Sequence, residues 1–285
     1  MLIEMININS LLNDGQKILS NSSIKTSMLD AEILLCCALK RSFKEVVINR
    51  KINIKINEIN TYKNLIRRRK LGEPVAYIVK NKEFWKHSFY VDKNVLIPRP
   101  DSEIIIQEAL KVIDIKNKGF ILDIGTGSGC LVISLAKERP NFFYSAIDIS
   151  KKAIKVAKIN AKMHQLENRI KFYQSCVDNF FKGKYDLIIS NPPYINKFKL
   201  KYLDKDIFGF EPLIALEGGL YGSSILNKVI KKSSSLLKVG GKLILEIGFD
   251  QKLKTMKFLK NEGFYVNKVV RDYGNNDRCI VSTKI

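Results

Sequence analysis

The chain has 285 residues, of which 46% are hydrophobic. It can therefore bury a substantial core, and it exceeds the usual size of one domain, so we expect two unequal domains. Its net charge is +21, yet no apolar run approaches the roughly 20 residues that a membrane-spanning helix needs, which excludes an integral membrane protein.

Cysteine and histidine usage excludes further classes. The five cysteines are odd in number and show no C-x-x-C spacing, so they cannot form a complete disulfide framework. Two histidines without an H-E-x-x-H motif leave too few ligands for zinc. The start of the chain lacks the basic segment of a secretory signal. We therefore expect a cytoplasmic protein with reduced thiols and no metal site.

The net charge leaves nucleic-acid binding open. Clustered Lys and Arg bind phosphates, but 39 of the 49 basic residues are Lys, and Arg, the better phosphate ligand, is not enriched. Runs such as RRRK at 67–70 also fit a solvated helix face. Charge alone is compatible with nucleic acid, with steering of an acidic partner and with a compositional bias.

The chain order of predicted elements indicates two domains and a connector. Residues 1–80 show helical periodicity, which predicts a small helical bundle. From residue 72 aromatic and β-branched residues take over around the polar break KNKE, which predicts extended chain with a β-hairpin connector over 81–98. Residues 99–285 then alternate helices with apolar strands, which predicts an α/β domain whose parallel sheet is covered on both faces.

The last two strands of that domain flank the turn YGNND, so one of them must run antiparallel. This pattern is typical of the seven-stranded, Rossmann-like fold of class I methyltransferases. The predicted fold is thus such a domain, preceded by the helical bundle and the hairpin.

A glycine-rich turn ends the first strand of this domain. It reads LDIGTGSGC, with glycines at 125, 127 and 129, and lets the backbone approach a ligand before a helix begins. Asp148 ends the next strand, where an acid can bind both hydroxyls of a ribose. A glycine turn and a helix-capping Asp148 would explain each feature separately, but the pair favours a nucleoside-containing cofactor such as S-adenosylmethionine.

The stretch DLIISNPPYIN places Asn191 at the carboxyl end of the fourth strand, where open α/β sheets bind ligands. Two prolines stop strand pairing and stiffen the exit. If Asn191 and the Pro192 carbonyl each accept one N–H, they hold a planar amino group with its lone pair toward a methyl donor. Tyr194 can stack on that planar group.

The motifs NPPY and DIGTGSG together resemble methyltransferases of planar nitrogen, both adenine-N6 and protein-glutamine enzymes. The segments GEPVAYIVKNKEFW, VLIPRPDSE, EPLIALEGGLYG, LEIGFDQ and DAEILLCCAL extend the likeness over nearly the whole chain. The chain resembles the HemK/PrmC family of release factor glutamine (N5) methyltransferases. The resemblance implies methyl transfer from S-adenosylmethionine to the glutamine of the Gly-Gly-Gln motif in peptide chain release factors.

The resemblance also implies roles for individual residues. The cofactor-binding residues would be Gly125, Thr126, Gly127, Ser128, Gly129, Asp148, Val177 and Asn191. The substrate-binding residues would be Asn191, Pro192, Pro193 and Tyr194, and the catalytic ones Asn191, Pro192 and Tyr194. The helical domain would bind the release factor body, with no DNA or membrane partner and a monomeric chain. An acidic release factor would then associate more slowly at raised salt.

Two segments leave alternatives open. Cys176 and Val177 stand where the family commonly has an acid and an aromatic residue near the adenine, and Asp178 or Phe180 could replace them in a shifted register. In PRPDSE, Arg99 and Glu103 would either close over the cofactor or form an ion pair beside a helix that Asp101 or Ser102 caps.

The segment 195–222 is too long for an ordinary loop and is hypothesised to be a mobile lid with acids at Glu211 and Glu217. Three functions remain possible: a release factor methyltransferase, an adenine-N6 nucleic-acid methyltransferase that lacks an evident target-recognition domain, and a non-catalytic binder.

Overall fold

The computed structural model describes residues 7–285. The chain divides into two compact units, Met1–Lys80 with Asp204–Phe210, and Asn81–Leu203 with Glu211–Ile285. The first six residues of the predicted domain 1–80 lie outside the described residues.

The first unit is helical. Its helices from the N-terminal part of the chain are α1 (Ile8–Ser20), α2 (Ser27–Leu39), α3 (Phe43–Ile48), α4 (Ile56–Lys70) and α5 (Val75–Val79). Leu12, Leu34 and Tyr62 are each at most 1% exposed and share one apolar core. Asp30 on α2 accepts a 2.7 Å hydrogen bond from Arg69 on α4, and both residues are buried. A buried ion pair therefore links two helices of this core.

Helix α5 differs from the sequence-based prediction, which expected extended chain from residue 72. Pro74 precedes the helix, and Lys80 ends it in the left-handed conformation. Ile78 is buried in the core of the first unit, so tertiary packing outweighs the strand preference of its β-branched neighbours. The prediction was wrong for these five residues.

The second unit begins with a hairpin of β1 (Lys82–Phe84) and β2 (His87–Phe89), paired antiparallel. Phe84 and Phe89 are buried in the core of this unit and meet edge to face, 6.2 Å apart. Glu103 accepts the Trp85 backbone N–H at the turn at 2.7 Å. The hairpin is thus packed against its own unit.

A seven-stranded sheet forms the centre of the second unit, in the order β5-β4-β3-β6-β7-β9-β8. Its strands are β3 (Phe120–Ile124), β4 (Phe143–Asp148), β5 (Ile170–Gln174), β6 (Tyr185–Ser190), β7 (Leu237–Glu246), β8 (Phe264–Arg271) and β9 (Asp277–Lys284). The helices that follow α5 along the chain are α6 (Glu103–Val112), α7 (Cys130–Glu138), α8 (Lys151–Met163), α9 (Lys205–Phe210), α10 (Ser224–Leu236) and α11 (Lys252–Asn261). Of these, α9 belongs to the first unit.

The first five strands of the sheet order are parallel, and β9 runs antiparallel to both β7 and β8. Central strands are buried along nearly their whole length because two apolar clusters cover them, with Ile121 and Leu187 in one cluster and Leu122 and Ile188 in the other. The predicted α/β architecture and the antiparallel final strands are confirmed. Within residues 7–285 no helix is long and apolar enough to span a membrane.

The Asp30–Arg69 pair yields a stability prediction. Asp30→Ala leaves a buried guanidinium without its main partner and should lower the free energy of unfolding by about 3 kcal/mol in urea titrations. Glu32→Ala is the control, because its partner Arg50 is 42% exposed and 3.7 Å away, and it should cost about 1 kcal/mol or less. An equal loss in both variants would contradict this assignment.

Candidate active site

A cavity of about 510 Å³ lies at the carboxyl ends of the central strands. One row of paired residues crosses the sheet there, through Tyr173, Ile147, Ile124, Ser190 and Leu245. The residues that follow this row on four adjacent strands are Asp148, Gly125, Asn191 and Glu246. The strand register therefore brings the ends of distant segments to one edge of the sheet.

Most of the predicted site residues line the cavity. They are Gly125, Thr126, Gly127, Ser128, Asp148, Val177, Asn191, Pro192 and Pro193. Gly129 and Tyr194 are the predicted residues that do not line it. Gly129 precedes α7, and a Cβ there would stand 3.0 Å from Ile133 Cδ1 and 3.3 Å from Ala157 Cβ. Glycine at this position therefore allows the start of α7 to pack closely against α8.

The glycine turn and Asp148 hold each other in place. Gly125 and Gly127 have φ of +76° and +56°, a conformation that favours glycine. Asp148 Oδ2 accepts the Gly127 N–H at 2.9 Å, and Oδ1 accepts the Ser150 N–H at 2.8 Å. Each oxygen keeps lone-pair capacity for a further donor. Burial raises the pKa of Asp148. This arrangement can accept two hydroxyl groups of a ribose.

Asp123 supports the same turn from beneath. It is fully buried, and its Oδ2 accepts the Thr126 hydroxyl at 2.6 Å, while Oδ1 has no hydrogen-bond partner within residues 7–285. Burial raises the pKa of Asp123 to about 7. Thr126, which lines the cavity, is thereby fixed by a carboxyl group that does not line it.

After β5 the chain exposes Cys176 and Val177 to the cavity. The two possible replacements lie elsewhere. Asp178 forms a 2.7 Å ion pair with Lys228, and Phe180 is 3% exposed in the apolar core. The structure therefore does not adopt the shifted register, and Cys176 and Val177 occupy this part of the cavity wall.

The Asn191 side chain is oriented by Ser102 and Glu246, which sequence reasoning did not assign to the site. Its Nδ2 donates to Ser102 Oγ at 2.9 Å, and Ser102 Oγ donates to Glu246 Oε2 at 2.5 Å. Tyr194 donates its hydroxyl to Glu246 Oε1 at 3.4 Å, so the tyrosine contacts this network, and its stacking on a substrate stays a prediction. Asn191 lines the cavity, and because its Nδ2 is engaged by Ser102, its Oδ1 is the atom that can accept from a ligand.

The carboxyl group of Glu246 lies in the protein interior, and its pKa is strongly shifted. It is 2% exposed, and burial raises its pKa to about 7, partly offset by the Ser102 hydrogen bond and by Arg278. The signal in the sequence is an acid at the end of the apolar strand KLILE, where a buried charge demands partners. Ser102 carries no such signal, because serine at a helix start is ordinary.

Arg99 pairs with Glu211, at 2.5 Å, and not with Glu103. Glu211 is almost fully buried and also accepts the Ile97 N–H at 3.1 Å. The pairing of Arg99 with Glu103 is therefore wrong. The expected cap is also wrong as a side-chain cap: a 3-10 turn at Pro100–Ser102 precedes the helix, and Ser102 stands at its N-cap without a capping hydrogen bond, because its hydroxyl donates to Glu246. Arg99 lines the cavity, so the prediction of closure over a cofactor stays open.

The segment 195–222 is structured over much of its length. It contains 3-10 helices at Lys197–Tyr202 and Leu213–Ala215, and Ile195 pairs with Glu217 in a parallel bridge. Gln251 Nε2 donates to the Tyr194 and Gly222 carbonyls at 3.1 and 2.8 Å. Glu217 lines the cavity. The segment thus forms part of the cavity wall, and its mobility stays a hypothesis.

Comparison with known proteins identifies relatives over nearly the whole chain. The methyltransferase small domain matches residues 102–206, and the PrmC N-terminal domain matches residues 10–79. The release factor glutamine methyltransferase of Buchnera aphidicola subsp. Acyrthosiphon pisum is 38% identical over 92% of this chain and 94% of its own length. The protein of that name from Clostridium acetobutylicum is 34% identical over 97% and 98%.

Among solved structures, a methyltransferase from Pyrococcus furiosus shares the fold, with a TM-score of 0.53 at 19% identity, over 78% of this chain and 98% of that one. The predicted class I methyltransferase fold is confirmed, and the protein is an enzyme that uses S-adenosylmethionine as methyl donor.

The cavity fits this methyl donor. Asp148 would accept from its ribose hydroxyls, the amides of the glycine turn would face its carboxylate, and Ile149 and Val177 would provide apolar walls for its adenine. Within the described part of the chain no group of three or more His, Cys, Asp or Glu side chains is placed to hold a metal ion.

Asp148→Ala should weaken S-adenosylmethionine binding by about 10- to 100-fold in calorimetric titration, because the ribose loses its carboxylate acceptor and Gly127 loses its anchor. Asp186→Ala is the control, since Asp186 also accepts a backbone N–H, from Phe120, but at the opposite end of the strands. The affinity of this variant for S-adenosylmethionine should equal that of the wild type. Equal affinity in both variants would remove Asp148 from the cofactor site.

Glu246→Gln should change how stability depends on pH. The folded-state pKa of Glu246 is about 7, above its usual value near 4.5. Its stabilising contribution is therefore complete below about pH 4.5 and is lost as pH rises through about 7. Asp123 has the same sign, so the wild type should lose stability from about pH 4.5 to about pH 7 in urea titrations, and Glu246→Gln should lose less.

Glu108→Gln is the matched control for this measurement. Burial raises the Glu108 pKa, but the Lys111 and Lys268 ammonium groups lower it below its usual value overall. Its titration therefore falls below that pH window, and the variant should show the wild-type decline. Identical declines in all three proteins would contradict the assignment to Glu246.

Proposed function

The chain belongs to the family of release factor glutamine methyltransferases, and we propose that it transfers a methyl group from S-adenosylmethionine to the side-chain amide nitrogen (N5) of glutamine. The substrate glutamine is that of the Gly-Gly-Gln motif in peptide chain release factors. Methylation of this residue supports translation termination.

The orientation of Asn191 is the observation that carries this proposal. Its Nδ2 is engaged by Ser102 at 2.9 Å, so its Oδ1 is the atom available to a ligand. An acceptor in this position suits the N–H of a primary amide. The Pro192 carbonyl, at the rigid Pro192–Pro193 exit that lines the same cavity, would be the second acceptor.

The chemistry needs orientation more than deprotonation. An amide nitrogen is a weak nucleophile because its lone pair is delocalised into the carbonyl group. Asn191 Oδ1 and the Pro192 carbonyl would each accept one N–H and hold the lone pair toward the methyl donor, which supplies an electrophilic methyl group when bound. As positive charge develops on the nitrogen, both acceptors stabilise it, and a proton then leaves to solvent.

The first unit is proposed to bind the release factor body. It presents apolar side chains to solvent, among them Phe43, Ile48 and Ile56, which are 53%, 69% and 71% exposed. These side chains would provide apolar contacts for such a partner. The net charge of +21 would assist the approach of an acidic partner.

An adenine-N6 nucleic-acid substrate is the second candidate. The same two acceptors would take an exocyclic amino group, and the net charge favours a polyanion. Glutamine is the preferred substrate because the matched relatives are named release factor glutamine methyltransferases and align with this chain over nearly their whole length.

Incubation of an unmethylated release factor with this enzyme and S-adenosylmethionine should add one methyl group to the Gly-Gly-Gln glutamine, read by mass spectrometry of the peptide. Asn191→Ala should lower kcat/KM by about 100- to 1,000-fold, because it removes a preorganised acceptor. Asn227→Ala, an exposed asparagine on α10, should keep the wild-type rate.

DNA is included as an alternative substrate in the same assay. Methylation of adenine without methylation of the release factor would overturn the proposal. Methylation of a different residue in the release factor would support the release factor as partner but would contradict glutamine as the substrate residue.

A further inference from the structure

We infer that Ser102 and Glu246 are positioning residues that set which end of the Asn191 amide faces the substrate, through a hydrogen-bond chain with a fixed direction. The inference rests on the proposed function, in which Asn191 Oδ1 accepts from the glutamine nitrogen.

Donor and acceptor counts fix the direction of the chain. An ionised Glu246 is acceptor-only, so the Ser102 hydroxyl must give it its single hydrogen, across 2.5 Å. Ser102 Oγ can then only accept from Asn191, and Nδ2 is the atom of Asn191 that can donate. A flipped amide would set two acceptor oxygens against each other. Oδ1 is therefore turned to the cavity.

Burial makes the chain rigid. Ser102 and Glu246 are 4% and 2% exposed, so their mutual hydrogen bond is shielded from bulk water on all sides except the cavity that Ser102 lines. The three side chains come from the 3-10 turn before α6, from the exit of β6 and from the end of β7. A packed chain of this kind preorganises the acceptor before substrate arrives.

The charge state of Glu246 controls the direction. Tyr194 faces it as a hydrogen-bond donor, Arg278 as a cation and Asp101 as an anion, and Cys279 adjoins it on β9. Burial raises the Tyr194 pKa to about 12, so that the hydroxyl stays a donor.

If Glu246 takes up a proton, it can donate to Ser102, and Ser102 can donate to Asn191 Oδ1. The amide would then present Nδ2 to the cavity, the wrong polarity for a substrate N–H. Because the Glu246 pKa is raised to about 7, kcat should fall as pH drops through that value.

The test combines turnover with a direct reading of the amide. Ser102→Ala should lower kcat by about 10- to 100-fold, with the S-adenosylmethionine dissociation constant unchanged, and Ser102→Thr, which keeps the hydroxyl, should restore most of the rate. Ser233→Ala is the matched control, since Ser233 is fully buried and its hydroxyl has no partner within residues 7–285. It should keep the wild-type kcat.

The pH dependence of kcat distinguishes an effect of Glu246 ionisation on the Asn191 orientation from a general structural effect of the substitutions. Wild type and Glu108→Gln should share the acidic fall of kcat, and Glu246→Gln should lose it, because its side chain does not titrate. Retention of the fall in Glu246→Gln, or a kcat for Ser102→Ala within about twofold of wild type, would overturn the inference.

Nuclear magnetic resonance of protein labelled with ¹⁵N-asparagine reads the chain without turnover. Hydrogen exchange of the Asn191 side-chain amide should be about 10-fold faster in Ser102→Ala than in wild type. Failure of the proposed function would show as absent methylation by wild type with this protection intact. Equal exchange in both proteins would overturn the inference itself, and far-ultraviolet circular dichroism confirms that each variant is folded.

Discussion

The hydrogen bond from Asn191 Nδ2 to Ser102 Oγ sets which end of the Asn191 amide is available to a ligand in the cavity. Asparagine offers a donor and an acceptor of similar shape, so only its surroundings determine which one meets a ligand. Glu246 determines the orientation indirectly, because this buried carboxylate accepts the single hydrogen of the Ser102 hydroxyl and leaves Ser102 Oγ as an acceptor for Asn191. The cost is a charge held in the interior, which burial makes expensive. Here stability and site geometry are in opposition.

The sheet explains why so few residues suffice. Because adjacent strands pair in register through Ile147, Ile124, Ser190 and Leu245, the residues after them reach one edge together. Asp148 and the glycine turn meet on one side of Asn191, and Glu246 on the other. Parallel pairing thus brings four separate strand endings to one edge of the sheet, with the proposed cofactor-binding residues on one side of Asn191 and the network that orients Asn191 on the other.

Sequence reasoning found the parts of the site that are local patterns. Glycine spacing, the acid at a strand end and the paired prolines all report on neighbours along the chain. Contacts between residues that are far apart along the chain leave no recognisable pattern in the sequence. Ser102 and Asn191 are 89 positions apart, Arg99 and Glu211 are 112 apart, and Ser102 and Glu246 are 144 apart. Helix α5 was missed because five residues give too little periodicity to outweigh β-branched composition.

A crystal structure of the enzyme with a release factor and S-adenosylhomocysteine would test the central claim most directly. The account predicts the Gly-Gly-Gln glutamine nitrogen within about 3 Å of Asn191 Oδ1 and of the Pro192 carbonyl, with Nδ2 still on Ser102. A glutamine bound through its carbonyl oxygen to Asn191, or seated away from this residue, would contradict it.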